Sequence, residues 1–316
     1  RMTVSAPVLG RLGGDLVLDG ALAQVGLPAL TEIDGDLEVR ESTFDLDLAA
    51  LRRVRGRVEL AEGVFEGPPR VGRRRSLSLP QLESVEGSVE VSQIQGLEGF
   101  EAPRLAAVGS DLRFRALPAL ERVDLGQIRQ VQGDLLLEEL FDAALVAPAL
   151  ERVDGPLRIR VMRQLVSELP RLSRVGQDLE LSTLELPQGL DLAALDSVGR
   201  SLVLRGFAAE DAVALDALRE VGVDLVVEGG AGLALLDLPA LERVGMGQGD
   251  GFGDLRIARN FDLAALRVPR LVRVADAIEI RDNPDLDPSA LVESLAGVES
   301  EVRTLCGNGG APPCSP

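Results

Sequence analysis

The stretch Leu30-Thr31-Glu32-Ile33-Asp34-Gly35-Asp36-Leu37-Glu38-Val39 decides the reading of this chain. In Leu37-Glu38-Val39 apolar and polar residues alternate, the period of a strand with one buried face. Leu30 and Ile33 belong to a second, shorter extended segment. Between the two, Gly35 is read as a corner residue adopting positive φ.

The same phrase returns along the chain, for example as Leu150-Glu-Arg-Val153-Asp-Gly-Pro-Leu157-Arg-Ile159. With its first apolar residue as anchor, the series is Leu9, Leu30, Leu51, Leu82, Leu105, Ile128, Leu150, Leu172, Leu195, Leu218, Leu241 and Leu271, and more weakly Leu295. Steps are about 23 residues, except for longer ones from Leu51 to Leu82 and from Leu241 to Leu271. Leu120 imitates an anchor but breaks the period, so Ile128 takes that place and Leu120 joins the return segment. Pro28, Pro80, Pro118, Pro148, Pro170, Pro239 and Pro269 stand in the approach to such leucines, where a fixed φ and a missing N–H do no harm. One such turn cannot bury its own apolar face, whereas stacked turns can. The expected fold is a mainly β, right-handed parallel β-solenoid of about 12–13 turns with few short helices. It forms one continuous domain over 1–305, followed by a Cys/Gly/Pro tail over 306–316. Two segments carry helical signals: Phe207 to Arg219, and Pro288 to Ala296 with Asp287 as N-cap.

Composition suits thin, uniform layers. Apolar residues make up 46 % of the chain, but aromatics only 3 %, with eight Phe and no Trp or Tyr. All 33 basic residues are Arg, His is absent, and the formal net charge is −18. That charge disfavours phosphate backbones, so nucleic acid is not an expected partner. No apolar run reaches the ~18 residues of a membrane span. The opening Arg1-Met2 reads as a mature or excised fragment from which a signal peptide has been removed. Cys306 and Cys314 flank a short Gly/Pro loop and are expected to form a local disulfide in an oxidising compartment.

The pattern Leu-x-x-Val/Ile-x-Gly-x-Leu-x-Ile, followed by a loop and Leu-x-x-Leu, resembles the receptor L domain, the leucine-rich β-helical module of insulin-receptor and epidermal-growth-factor-receptor ectodomains. Related repeats occur in fungal cell-wall glycoproteins and bacterial secreted proteins. Ile278-Glu-Ile280-Arg-Asp-Asn283-Pro284-Asp-Leu286 matches the family's strand-then-Asn-Pro-x-Leu step, and Arg259-Asn260-Phe261-Asp-Leu263 echoes it. The resemblance covers about 7–305. It implies an extracellular or cell-surface setting and binding of a protein or glycan through a sheet face or edge loops. The chain lacks the receptors' flanking Cys-rich modules and has about twice the turns of one receptor module, so no ligand is carried over. The tail from Cys306 also resembles the first step of a Cys-rich stalk.

Recognition is expected away from the leucines. Two insertions break the period: one ends in Arg70, Arg73, Arg74 and Arg75, and the other contains Met246, Asp250 and Phe252. The outward strand positions form a column: Val17, Glu38, Glu59, Glu90, Arg113, Leu136, Arg158, Glu180, Val203, Val226, Arg256 and Glu279. Neighbours in such a column touch. Glu38, Glu59 and Glu90 should repel, Glu90/Arg113 and Arg158/Glu180 can pair, and Val203 with Val226 would form an exposed apolar patch. Asp282, Asn283, Asp285 and Asp287 lack the full spacing of a calcium loop and read as a structural turn. Without His there is no Ser/His or Cys/His pair and no His metal ligand; carboxylate pairs are possible, but none stands out. The expectation is a non-catalytic recognition or adhesion module without a cofactor. The alternatives are a structural protein that self-associates into a surface layer or filament, and a carbohydrate-active β-helix enzyme.

Overall fold

In the computed structural model, residues 2–20, 22–41, 46–64, 75–183, 185–186, 190–208, 213–245, 252–310, 312 and 314 are described. The chain is a parallel β-solenoid of about 12 coils of about 23 residues. It divides into two compact units, Arg1–Gly155 with Arg160–Met162, and Pro156–Ile159 with Arg163–Pro316.

In the first unit each Leu-x-Leu segment is a strand stacked in parallel on the equivalent strand one coil away. Leu16–Asp19, Leu37–Arg40, Val58–Val64, Val89–Gln95, Leu112–Arg115 and Leu135–Val146 follow one another in this sheet. Register is strict: Leu37 lies opposite Leu16 and Val58, and Val39 opposite Leu18 and Leu60. A second sheet holds the two-residue strands that end at Leu12, Ile33, Val54, Val85, Val108, Val131 and Val153. A third side, legible in the sequence only as a return segment, is also stranded: Ser76–Ser78, Gly99–Glu101, Arg122–Asp124 and Ala144–Val146 pair in parallel.

Leu120 closes a turn by donating its N–H to Leu117 O and leads into the third-side strand Arg122–Asp124. Ile128 closes the turn ahead of Gln130–Val131. The period therefore runs through Ile128, as expected. The prolines occupy the second position of such turns: Leu30 N–H donates to Leu27 O across Pro28, and Leu82 N–H to Leu79 O across Pro80. Leu30, Ile33, Leu37 and Val39 are fully buried, as are their equivalents Leu82, Val85, Val89 and Val91 within 1 %. Phe100 and Phe114 fill this core edge to face, with centroids 5.1 Å apart.

The corner glycines correct the sequence reading. Gly35, Gly56, Gly87 and Gly133 are not at positive φ; they are required by close approach. Gly56 N–H donates to Gly35 O at 3.0 Å, and a Cβ on Gly56 would lie 2.6 Å from Gly35 O. The non-glycine left-handed residues sit elsewhere, on the main-sheet side: Glu41, Ala116, Arg259 and Asp282 one step past their strands, and Glu62, Gln93 and Glu139 within the longer ones. At the strand entry an aspartate ladder ties coil to coil. Asp36 N–H donates to Asp15 Oδ1 at 2.9 Å, Arg57 N–H to Asp36 Oδ1 at 2.8 Å, and Asp134 N–H to Asp111 Oδ1 at 2.8 Å.

The second unit repeats the plan with main-sheet strands Leu179–Ser182, Leu202–Arg205, Leu225–Glu228, Leu255–Ala258, Ala277–Arg281 and Val302–Cys306. Its aspartate ladder continues in Asp254 N–H to Asp224 Oδ1 and Ala277 N–H to Asp254 Oδ1, both at 3.0 Å. The helical reading of Phe207 to Arg219 is overturned among the described residues. Ala208 bridges Glu185 and Ala231, and Val213–Ala214 pairs with Leu190–Asp191. Each coil must present extended backbone to its neighbour, and that ladder outweighs the local helix preference of an Ala-rich segment. The other expected helix is present as Pro288–Ser294, and the Asp287 carboxylate accepts from Ser289 N–H at 2.8 Å.

Candidate functional site

The outward column forms as expected, with Glu38 opposite Val17 and Glu59, Arg113 opposite Glu90 and Leu136, and Val203 opposite Glu180 and Val226. Its chemistry differs from the expectation. The Glu38–Glu59 repulsion is neutralised by arginines on the flanking columns. Arg57 pairs with Glu38 and lies 3.5 Å from Glu59; Arg40 lies 2.7 Å from Glu59 and 3.5 Å from Glu38. The hydrogen bonds that these guanidiniums donate, Arg40 to Glu59 and Arg57 to Glu38, raise both their pKa values above the ordinary one. Arg113 turns to the aspartate ladder, 2.8 Å from Asp111 and 3.1 Å from Asp134. Arg158 lies 3.6 Å from Asp178 and 3.8 Å from Glu180, and Arg256 lies 3.1 Å from Glu279. The second sheet is cross-linked similarly: Arg11 donates to Asp34 at 2.9 Å, and this hydrogen bond holds the Asp34 carboxyl below its ordinary pKa. Within each unit, then, much of the charge on these two sides is engaged in pairs across the coils.

The Val203/Val226 patch is a second correction. Val203 is half-buried and Val226 is only 8 % exposed, so no open apolar surface exists there. A β-branched side chain in mid-sheet is hemmed in by neighbours on both adjoining strands. Of the insertion residues, Arg70, Arg73, Arg74, Met246 and Asp250 lie outside the described residues. Arg75 is described: its N–H donates to Glu98 Oε2, and its carbonyl accepts from Glu98 N–H. Phe252 is 65 % exposed. Cys306 and Cys314 form a disulfide. Among the described residues no group of three or more His, Cys, Asp or Glu could hold a metal ion, and no helix is long and apolar enough to cross a membrane.

The surface that sequence reasoning missed is the third side of the second unit. Leu235–Asp237 and Ala265–Arg267 pair in parallel there, and Ala264 N–H donates to Ala234 O. Ala231, Ala234 and Ala264 are exposed, as is Phe261 at 62 %, while Leu235 and Ala265 are half-exposed. Arg267 and Asp237, 3.9 Å apart, form one border. With Val268, Pro269 and the helix residues Ala290 and Glu293, they line an open groove of about 620 Å³. No family model, curated protein or solved structure matches this chain.

Phe261 owes its position to a buried asparagine ladder. The turn Asn260-Phe-Asp-Leu263 closes through Leu263 N–H to Asn260 O, and Asn283-Pro-Asp-Leu286 closes in the same way. Asn260 and Asn283 are wholly buried and Asn308 is 1 % exposed. Gly230 N–H donates to Asn260 Oδ1 at 2.9 Å, Asn260 N–H to Asn283 Oδ1 at 3.0 Å, and Asn283 N–H to Asn308 Oδ1 at 3.1 Å. With each Asn pinned inward, the next residue must project outward, which is where Phe261 and Pro284 stand. The sequence signal was present in the echo Asn260-Phe-Asp-Leu263 of Asn283-Pro-Asp-Leu286, but it reads first as a turn.

Proposed function

We propose that this chain is a non-catalytic recognition module, a receptor L domain-like leucine-rich solenoid that binds a protein or glycan in an extracellular setting. The observation that carries the reading is the contrast between sides of the second unit. Its main sheet is laced by ion pairs between coils, while the turn that leads into the third side leaves the Phe261 ring 62 % exposed. A large exposed aromatic is what the anchor of a contact face requires. The leucine period, the Asn ladder and the disulfide support the family reading, and the disulfide fits an oxidising compartment.

The test is a Phe261→Ala variant, screened beside the wild type on arrays of cell-surface glycans and extracellular proteins. Because Phe261 is exposed, its removal should leave the melting temperature unchanged and weaken a detected interaction about tenfold or more, the loss expected of an interface anchor. An unaltered affinity would remove the third side from the proposal. Turnover of a polysaccharide by the purified chain would overturn the non-catalytic reading itself.

A further inference from the structure

We propose that the Cys306–Cys314 disulfide is a latch that keeps Asn308–Gly309 out of deamidation chemistry, and that reducing it turns Asn308 into a modification site. An Asn–Gly step is chemically labile because the glycine nitrogen, unhindered by a side chain, can reach the Asn carboxamide carbon. Three features block that reaction here. The Asn308 carboxamide is held at both atoms: Nδ2 donates to Ile280 O at 2.7 Å, and Oδ1 accepts from Asn283 N–H at 3.1 Å and from Asn283 Nδ2 at 3.0 Å. The attacking nitrogen is occupied, since Gly309 N–H donates to Asn283 O at 3.3 Å. The corner is also crowded, as a Cβ on Gly309 would lie 2.9 Å from Pro288 Cδ.

The disulfide closes a short loop around this rung, and Gly307 N–H donates to Pro312 O across it at 2.7 Å. Both cysteines are half-buried, not sealed. A dithiol reductant supplies the two electrons and two protons that convert the bridge to two thiols, and itself becomes a disulfide. The freed loop then samples open conformations. In these the Gly309 nitrogen attacks Asn308 Cγ. The N–Cγ bond forms, the Cγ–Nδ2 bond breaks, and ammonia leaves with the Gly309 proton. Water opens the resulting succinimide to aspartate or isoaspartate. The change is one-way for the fold. An aspartate at 308 would face Ile280 O with a carboxylate oxygen where Nδ2–H had donated, and a buried charge opposite a carbonyl is strongly unfavourable.

The experiment incubates the full chain at mildly alkaline pH, oxidised or reduced and alkylated, and follows the Asn308 peptide by mass spectrometry. A Cys306→Ser/Cys314→Ser variant serves as a permanently open latch without reductant. Hydrogen exchange is recorded in parallel. The expected result is that reduction and the double variant both accelerate conversion at Asn308 by about tenfold or more, the factor equivalent to ~1.4 kcal/mol of local stability. Exchange should rise at the Asn283 and Gly309 amides while the strand Leu255–Ala258 keeps its protection. Equal rates in the oxidised and reduced protein would overturn the proposal. So would reduction that strips protection from the whole second unit, because the disulfide would then not be a local latch.

Discussion

Replacing Asn283 with alanine probes the asparagine ladder at its centre. The side chain accepts from Asn260 N–H and Asn260 Nδ2 and donates to Ile257 O, Arg281 O and Asn308 Oδ1, all at 3.0–3.1 Å. Several of those partners keep a second bond. Asn260 Nδ2 still reaches Val227 O, Arg281 O still accepts from Arg259 N–H, and Asn308 Oδ1 still accepts from Asn283 N–H. The N–H of Asn260 loses the side-chain partner that Asn283 gave it, while the Ile257 carbonyl stays in the strand Leu255–Ala258 paired with Ala277–Arg281. A buried polar group left unsatisfied costs about 1–3 kcal/mol, so Asn283→Ala should cost about that much. That is a large share of a domain's ~5–15 kcal/mol. In a solenoid each coil contacts only its neighbours, so the loss should appear first as local opening. Hydrogen exchange should therefore show reduced protection at Gly230, Asn260 and Asn283 before denaturant unfolding of the remainder. Asp285→Ala, on the exposed part of the same turn, is the control. If Asn283→Ala costs no more than that control, the ladder is not what holds these coils together.

Two further outcomes follow from the packing and the charges. Gly56→Ala would place a Cβ 2.6 Å from Gly35 O and 2.7 Å from Gly35 C, backbone atoms that cannot step aside. It should destabilise by about 1–3 kcal/mol, whereas Gly297→Ala, with no atom within 4 Å of the new carbon, should be neutral in the same denaturation series. Asp34, held below its ordinary 3.8 by the hydrogen bond from Arg11, stabilises the folded chain above that pH and loses the contribution as pH falls through its folded value. Asp34→Asn should therefore flatten the acid limb of a stability-versus-pH titration while leaving its shape near neutrality unchanged; an identical acid limb would show that the pair is not linked to folding.

Much of this molecule is legible in its residues. The recurrence of Leu-x-x-Val, a Gly corner and Leu-x-Leu dictates stacked parallel coils, because no single coil can bury its leucines and identical coils can. The register of the outward column follows, since period-2 alternation leaves Glu38 and Glu59 no other face. The disulfide and the Asp287-capped helix were equally local, set by a short loop and by a side chain bonding two residues on. Tertiary structure decided what depends on the neighbouring coil. The corner glycine is selected by the backbone 23 or so residues away, not by its own φ. Arg40 and Arg57 reach across strands to neutralise a repulsion that a single column suggests, and Val226 is covered by the side chains of the adjoining strands to a degree the alternation alone does not reveal. The Ala-rich segment after Phe207 lost its helix because a ladder of extended backbone was already waiting for it. The exposure of Phe261 likewise belongs to the stack: only when Asn260 and Asn283 lock inward, one coil above the other, does the residue between them and solvent become a surface.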